Sequence, residues 1–285
     1  MNNDYEKLSK LAVGSYGNVY KCRSKKTGHI NVIKYIPFDK LYSSEIQRSK
    51  NFDEIYINEL EILKITKHKN IIEMLSYSVD YANYKLCIVF EYIPFTLEYN
   101  IKNEELNNYP IRYKNFMIQL LKGVEYLHEN KIIHRDLKPT NILIDLNDNL
   151  KIIDMGMSII KKEDKKMESE TQTLWYRSPE LLLGEKNYSY SIDIWSLGCI
   201  FMELIDGFPY ITGKTEVNQL HEIFKVFGTP NENIWEKFPY MPNYENNFPD
   251  YKSNNNVNED ILKMFCYNPL KRITATEMLK CKYLE

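Results

Sequence analysis

His134-Arg135-Asp136-Leu137-Lys138-Pro139-Thr140-Asn141 packs an acid, a base and an amide into one short segment, directly ahead of the apolar run Ile142–Ile144. Further on, Asp154-Met155-Gly156 places a second acid directly after another apolar run, Leu150–Ile153. Carboxylates and an amide carried at the ends of neighbouring strands are hard oxygen donors, which suits a Mg2+ site. Two polar turns without a shared task are the plain alternative, and the order of residue types argues against it. Near the N-terminus, Leu11-Ala12-Val13-Gly14-Ser15-Tyr16-Gly17-Asn18-Val19 sets two glycines between strand-like runs. Such a hairpin lets the backbone approach a phosphate closely, although an ordinary β-hairpin accounts for the glycines as well. A P-loop is excluded because no Gly-Lys-Ser/Thr follows and no helix starts there. A dinucleotide fingerprint is excluded because the loop leads into a strand.

The elements that must position these residues are of two kinds. The first ninety residues are strand-rich, with short β-branched or aromatic runs at Asn18–Arg23, Ile30–Ile36, Met74–Val79 and Leu86–Tyr92. One helical pattern interrupts them, with Ile55, Ile57, Leu60, Ile62, Leu63 and Ile65 on roughly one face. From Tyr113 onward the pattern is helical: Tyr113–Glu129, Ile192–Ile205, Glu216–Phe227, Asn258–Phe265 and Thr274–Lys280, with an Asn/Ser/Pro-rich loop over Asn243–Asn258. A strand-rich part and a larger helical part therefore meet near Ile93–Leu97.

Composition narrows the functional classes. A chain of 285 residues with 44% hydrophobic content can bury a large core. Its 37 Lys+Arg against 39 Asp+Glu give a net charge of -2, without the basic excess of a nucleic-acid binder. Aromatic content of 13% is too high for a disordered chain. Five scattered cysteines without a Cys-x-x-Cys pair suggest neither a disulfide framework nor a zinc site, and they suit a reducing interior. The polar N-terminus does not read as a signal peptide, and no apolar stretch is long enough to span a membrane. The expectation is an intracellular protein of the cytoplasm or nucleus.

Together these segments resemble the signature set of a eukaryotic protein kinase over nearly the whole chain. The resemblance implies an α+β, bilobal protein kinase fold in a single catalytic domain, 1–285: an N-lobe (1–92) of antiparallel sheet plus one helix, a hinge (93–97) and a mainly helical C-lobe (98–285). It implies ATP and Mg2+ as cofactors and Ser/Thr of protein substrates as acceptors. Asp136 then matches the catalytic base, Lys138 the lysine beside the transferring phosphoryl group, and Asn141 and Asp154 the magnesium ligands. Lys34 matches the strand lysine on the α- and β-phosphates. Glu59 is its helix partner by register ahead of His68-Lys69-Asn70-Ile71, with Glu61 the rival. The loop Leu11, Ala12, Val13, Gly14, Ser15, Tyr16, Gly17, Asn18 and Val19 covers the phosphates. Phe90, Glu91 and Ile93 form the gatekeeper and hinge, and Leu11, Val19, Val32 and Leu143 sandwich the adenine.

Only six residues are arginine, and three fall in family motifs: Arg135, Arg177 and Arg272, the last as partner of Glu180. Asp193 matches the acid that caps the catalytic-loop backbone. Thr173-Leu174-Trp175-Tyr176-Arg177-Ser178-Pro179-Glu180 and Gln219–Pro230 resemble the cyclin-dependent-kinase-like branch of the CMGC group, which implies proline-directed substrates and leaves a cyclin-like activator open. The chain departs from the family at Ala12, where a glycine is usual, and at Met155, a soft apolar exchange for Phe. Asn58 and Ile159 stand where arginines would hold an activating phosphate, and the usual phosphothreonine position falls on Glu168 counted back from Trp175 or on Ser169 counted forward from Asp154, so activity independent of loop phosphorylation is expected. A pseudokinase scaffold is the alternative from another class, and Lys34, Asp136, Asn141 and Asp154 all speak against it.

Overall fold

The computed structural model describes residues 4–14, 17–37, 59–81, 83, 85–103, 108–161 and 172–285. Five antiparallel strands, β1 (Tyr5–Gly14), β2 (Gly17–Ser24), β3 (Ile30–Pro37), β4 (Met74–Asp80) and β5 (Lys85–Glu91), form a sheet in the order β1-β2-β3-β5-β4. Side chains alternate across a strand. In β3, Ile33 and Tyr35 therefore join Cys22, Cys87 and Val89 in a small cluster on one face. Ile36 instead joins the main core with Ile62 and Leu63 of helix α1 (residues 59–65). Lys34, even-numbered like Ile36, lies on the α1 side. The Lys7 ammonium sits 4.4 Å and 4.3 Å from the ring centroids of Tyr20 and Tyr35, a cation–π cover over the small cluster.

The chain leaves the sheet through β6 (Phe95–Thr96) and α2 (Leu97–Asn103) into α3 (Pro110–Glu129). Short strands β7 (Ile132–Ile133), β8 (Ile142–Ile144), β9 (Leu150–Ile152) and β10 (Ile159–Ile160) follow. β8 pairs with both β6 and β9, and β7 with β10. The helices α4 (Pro179–Leu182), α5 (Ser191–Asp206), α6 (Glu216–Phe227), α7 (Glu259–Leu262) and α8 (Ala275–Met278) complete the described α-helices, with short 3-10 turns between them. Helix α5 is buried from Ser191 to Leu204, as expected of a helix apolar on most sides. Among the described residues no helix is long and apolar enough to cross a membrane.

The structure corrects several sequence expectations at their boundaries. α3 begins at Pro110 rather than Tyr113, because a proline lacking its N–H is at no disadvantage in a first helical turn. The pattern over Asn258–Phe265 resolves into α7 and a 3-10 turn, Lys263–Phe265. α8 is shorter than Thr274–Lys280 and starts at a capping box of Thr274 and Glu277. The first half of the pattern Ile55–Ile65 lies outside the described residues. Strand β1 was foreseen only as the first arm of the hairpin at Leu11–Val19, and helix α2 was not foreseen. β1 is largely polar and lies at a sheet edge, and α2 is too short for a periodic signal.

A buried ion pair braces the helical part. Arg272 donates from Nη1 to Glu180 Oε1 at 2.7 Å and from Nη2 to Oε2 at 2.9 Å, with side-chain exposures of 0% and 1%. Its remaining donors reach the carbonyls of Ser191 and Cys266, and its guanidinium lies 5.1 Å from the Trp195 ring. Breaking such a pair leaves an uncompensated buried charge, at a cost of about 3–5 kcal/mol. Glu180→Ala should therefore lose about that much in urea unfolding. Glu180→Leu/Arg272→Met should lose less than Glu180→Ala, since no charge is then left stranded.

Candidate active site

Helix α1 and strands β3 and β9 converge on one lysine. Lys34 Nζ lies 2.7 Å from Glu59 Oε1 and 3.2 Å from Asp154 Oδ1. Burial works against its charge, but the two carboxylates outweigh that and hold Lys34 above the usual lysine range. Burial also opposes ionisation of Asp154, and Lys34 overrides it, so this carboxyl is held below the usual range. The β8–β9 register explains why Asn141 and Asp154 are neighbours. Ile142 faces Ile152, and Ile153 N–H donates to the Asn141 carbonyl at 2.9 Å, one residue before Asp154. Asp154 sits at φ +64°, held in a conformation that non-glycine residues seldom adopt.

The other pole of the site is Asp136. Thr173 Oγ1 donates to its Oδ1 at 2.9 Å, and Asn141 Nδ2 donates to its Oδ2 at 2.9 Å. Lys138 Nζ lies 2.8 Å from Oδ2 and also donates to Thr173 Oγ1 at 2.8 Å. The carboxylate, the ammonium and the Thr173 hydroxyl thus close a triangle. With Asn141 Nδ2 committed to Asp136, its amide oxygen is left for a cation. Glu61 makes no part of this arrangement, whereas Glu59 does.

One buried carboxylate holds the loop that carries Asp136. Asp193 Oδ2 accepts from the backbone N–H of His134 at 2.9 Å, and Oδ1 from that of Arg135 at 3.0 Å. His128 Nε2 donates to the same carboxylate at 2.9 Å. Burial alone would raise the Asp193 pKa, but the His128 hydrogen bond and charge and these N–H donors override it and hold it low. Arg135 is kept at φ +66°. His134 closes the loop from inside, accepting from Asp136 N–H at Nδ1 and donating from Nε2 to the Ile153 carbonyl.

These groups face a cleft of about 760 Å³. Of the expected residues, Leu11, Ala12, Gly17, Val19, Val32, Lys34, Glu59, Phe90, Glu91, Ile93, Asp136, Lys138, Asn141, Leu143 and Asp154 line it. Asn18 is not among the lining residues. Ser15 and Tyr16 lie outside the described residues, as does the side chain of Val13, while the Gly14 backbone ends β1 opposite Gly17. Gly17, at φ +147°, passes so close to the Tyr35 carbonyl that a Cβ would collide with it. Met155 is fully buried in the main core. Thr173, Gln172 and Thr96 line the cleft too, and sequence reasoning gave them no role. Thr173 stood inside a motif already singled out, but its partners come from a distant loop. His128 was also missed, since nothing local ties it to Asp193.

Cleft volume and chemistry fit a nucleotide: enclosed pockets of about 300–1,000 Å³ with apolar walls and few convergent polar groups are the usual kind. The protein kinase domain family matches residues 5–284. The chain belongs to the protein kinase family. It is 40% identical, over 97% of its length and 77% of the relative's, to the "Probable cyclin-dependent kinase 10" of Dictyostelium discoideum. It also superposes with TM-score 0.85 and 31% identity, over 98% of this chain and 92% of the other, on a chain of the yeast RNA Pol II CTD kinase CTDK-1 complex. This kinase is therefore a serine/threonine protein kinase of the cyclin-dependent-kinase-like branch.

The low pKa of Asp193 has a consequence for stability. An unfolded aspartate titrates near 3.9. A group depressed on folding contributes stability that is present above that value and is lost as pH falls through the folded pKa. The stability difference between the kinase and its Asp193→Asn variant, from urea titrations, should be smaller at pH 3 than at pH 5.

Proposed function

We propose that this kinase transfers the γ-phosphate of ATP to Ser or Thr followed by Pro in protein substrates. The observation that carries the reading is the Asp136–Lys138–Thr173 triangle opening on the same cleft as Lys34, Glu59 and Asp154. In this reading Asp136 accepts the proton of the substrate hydroxyl, and Lys138 lays positive charge beside the phosphoryl group in flight. Lys34, held by Glu59, orients the α- and β-phosphates. Asn141 and Asp154 are the residues that would hold Mg2+, which when bound neutralises charge developing on the phosphates. Leu11, Val19, Val32 and Leu143 exclude water from the adenine site. The Glu91 side chain, 2.6 Å from Lys151 Nζ, ties the hinge to β9.

The proline preference rests on the branch resemblance and on one backbone detail. Gln172 sits at φ +67°, and its carbonyl accepts from Arg177 Nη2 at 2.9 Å. A substrate residue with no N–H loses nothing beside a carbonyl already engaged, which favours Pro after the acceptor.

A cyclin-like partner is part of the proposal, supported by the relative named a cyclin-dependent kinase and by the solved relative that is part of a complex. Loop phosphorylation is not. Arg135 already donates to the Met157 carbonyl and, at 3.0 Å, to the Tyr188 hydroxyl, and Ile159 lies in β10 opposite Ile133. Asn58, Glu168 and Ser169 lie outside the described residues. Five free thiols suit a reducing cytoplasm or nucleus.

With labelled ATP and the chain as it occurs with its bound partners, Ser-Pro peptides should be phosphorylated well above Ser-Ala peptides. Loss of the base should lower turnover in Asp136→Asn by about 10²–10⁴-fold. Transfer undiminished in Asp136→Asn would refute the assignment. Ser169→Ala should retain activity, and its inactivity would refute the independence from loop phosphorylation.

A further inference from the structure

Gln172 is 6% exposed, and the described contacts use every polar group of its side chain. Nε2 donates to the Ile192 carbonyl at 3.1 Å and to Ser196 Oγ at 3.0 Å, while Oε1 accepts from Ser178 N–H at 3.1 Å. Ser196 Oγ in turn donates to the Tyr176 carbonyl at 2.8 Å. The segment from Gln172 to Ser178 is thus fastened to α5 by one amide and one hydroxyl. Its two ends are also tied together: Gln172 Oε1 meets Ser178, and the Gln172 carbonyl meets Arg177. The next residue after Gln172 is Thr173, whose hydroxyl touches both Asp136 and Lys138.

From this geometry we infer that Gln172 is a positioning residue for phosphoryl transfer. It anchors Thr173 on α5, so that Asp136 and Lys138 are held at the spacing the transfer step needs. The inference rests on the kinase reading above. A buried amide has no fallback in water, so loss of its partners is felt locally. The backbone at Gln172 is in the left-handed region, which a non-glycine residue seldom adopts, and without the amide only the Arg177 bond to its carbonyl is left to hold it there. Displacement of a catalytic group by about 1 Å costs on the order of 10²-fold in rate. Gln172 lines the same cleft, but its side chain is bonded to α5 and Ser178 and makes no bond to Lys34 or Asp154, so nucleotide binding is affected far less than transfer.

The test compares the wild-type kinase, with its bound partners, against Gln172→Met, which keeps the length and removes all three side-chain bonds, and Gln172→Glu. In Gln172→Met, kcat on a Ser-Pro peptide should fall by roughly 10- to 100-fold, while the KM for ATP and the stoichiometry of Mg·ATP binding stay within about two-fold of wild type. Gln172→Glu keeps the acceptor for Ser178 but turns a carboxylate toward the Ile192 carbonyl, so only its protonated form restores a donor. Its activity relative to wild type should therefore rise as pH is lowered from 8 to 6. A merely structural residue would lower kcat only in proportion to the nucleotide-binding fraction in both variants, and a wild-type pH profile in Gln172→Glu would mean that the lost donor does not matter; either result overturns the inference. Wild-type kcat in Gln172→Met overturns it as well. Absence of transfer by the wild type beside Asp136→Asn would instead fail the kinase reading, and the inference with it.

Discussion

The loop that carries Asp136 depends on one carboxylate that water cannot reach. Asp193, on α5, accepts from the consecutive backbone N–H groups of His134 and Arg135 and from His128 of α3. An ionised acid in the interior is stable only with such a set of donors, and that set fixes the backbone through Arg135 at a conformation it would not hold alone. Arg272 and Gln172 also bind to this helix, Gln172 through Ser196 Oγ and the Ile192 carbonyl. α5 is thus the common base on which the loop of Asp136, the segment of Thr173 and the Glu180 brace are mounted.

The opposite wall of the cleft is organised by a single cation. Lys34 draws Glu59 from α1 and Asp154 from the end of β9 to itself. A buried lysine is tolerable only when compensated, so the position of α1 relative to the sheet and the ionisation of the site are one problem. The charges do not merely decorate the cleft; their mutual compensation determines how its two walls come together.

Much of this was legible from residue order. The runs ending at Asn141 and Asp154, the alternation that puts Lys34 on the inner face of β3, and the buried stretch of α5 are local properties with local signatures. Glu59 could be preferred over Glu61 by register. Less legible were β1 and α2, an edge strand and a short helix whose residues say little by themselves. The bonds of Gln172, Thr173 and His128 were not legible at all. The bonds that matter most, from Gln172 to α5, Thr173 to Asp136 and His128 to Asp193, join residues twenty or more positions apart, and a glutamine, a threonine and a histidine are equally at home on a surface.

The amino-acid sequence alone determined which groups the chain can bring to a site: carboxylate and amide oxygens, an acid close to a lysine, a strand lysine and apolar walls, each in a segment whose type follows from short-range pattern. Tertiary structure alone decided which polar side chains meet. Hydrogen bonds of about 3 Å between distant segments depend on how helices and strands pack, and packing is a property of the whole core. That is why Thr173 was seen to close the triangle with Asp136 and Lys138 only once α5 was in place beneath it.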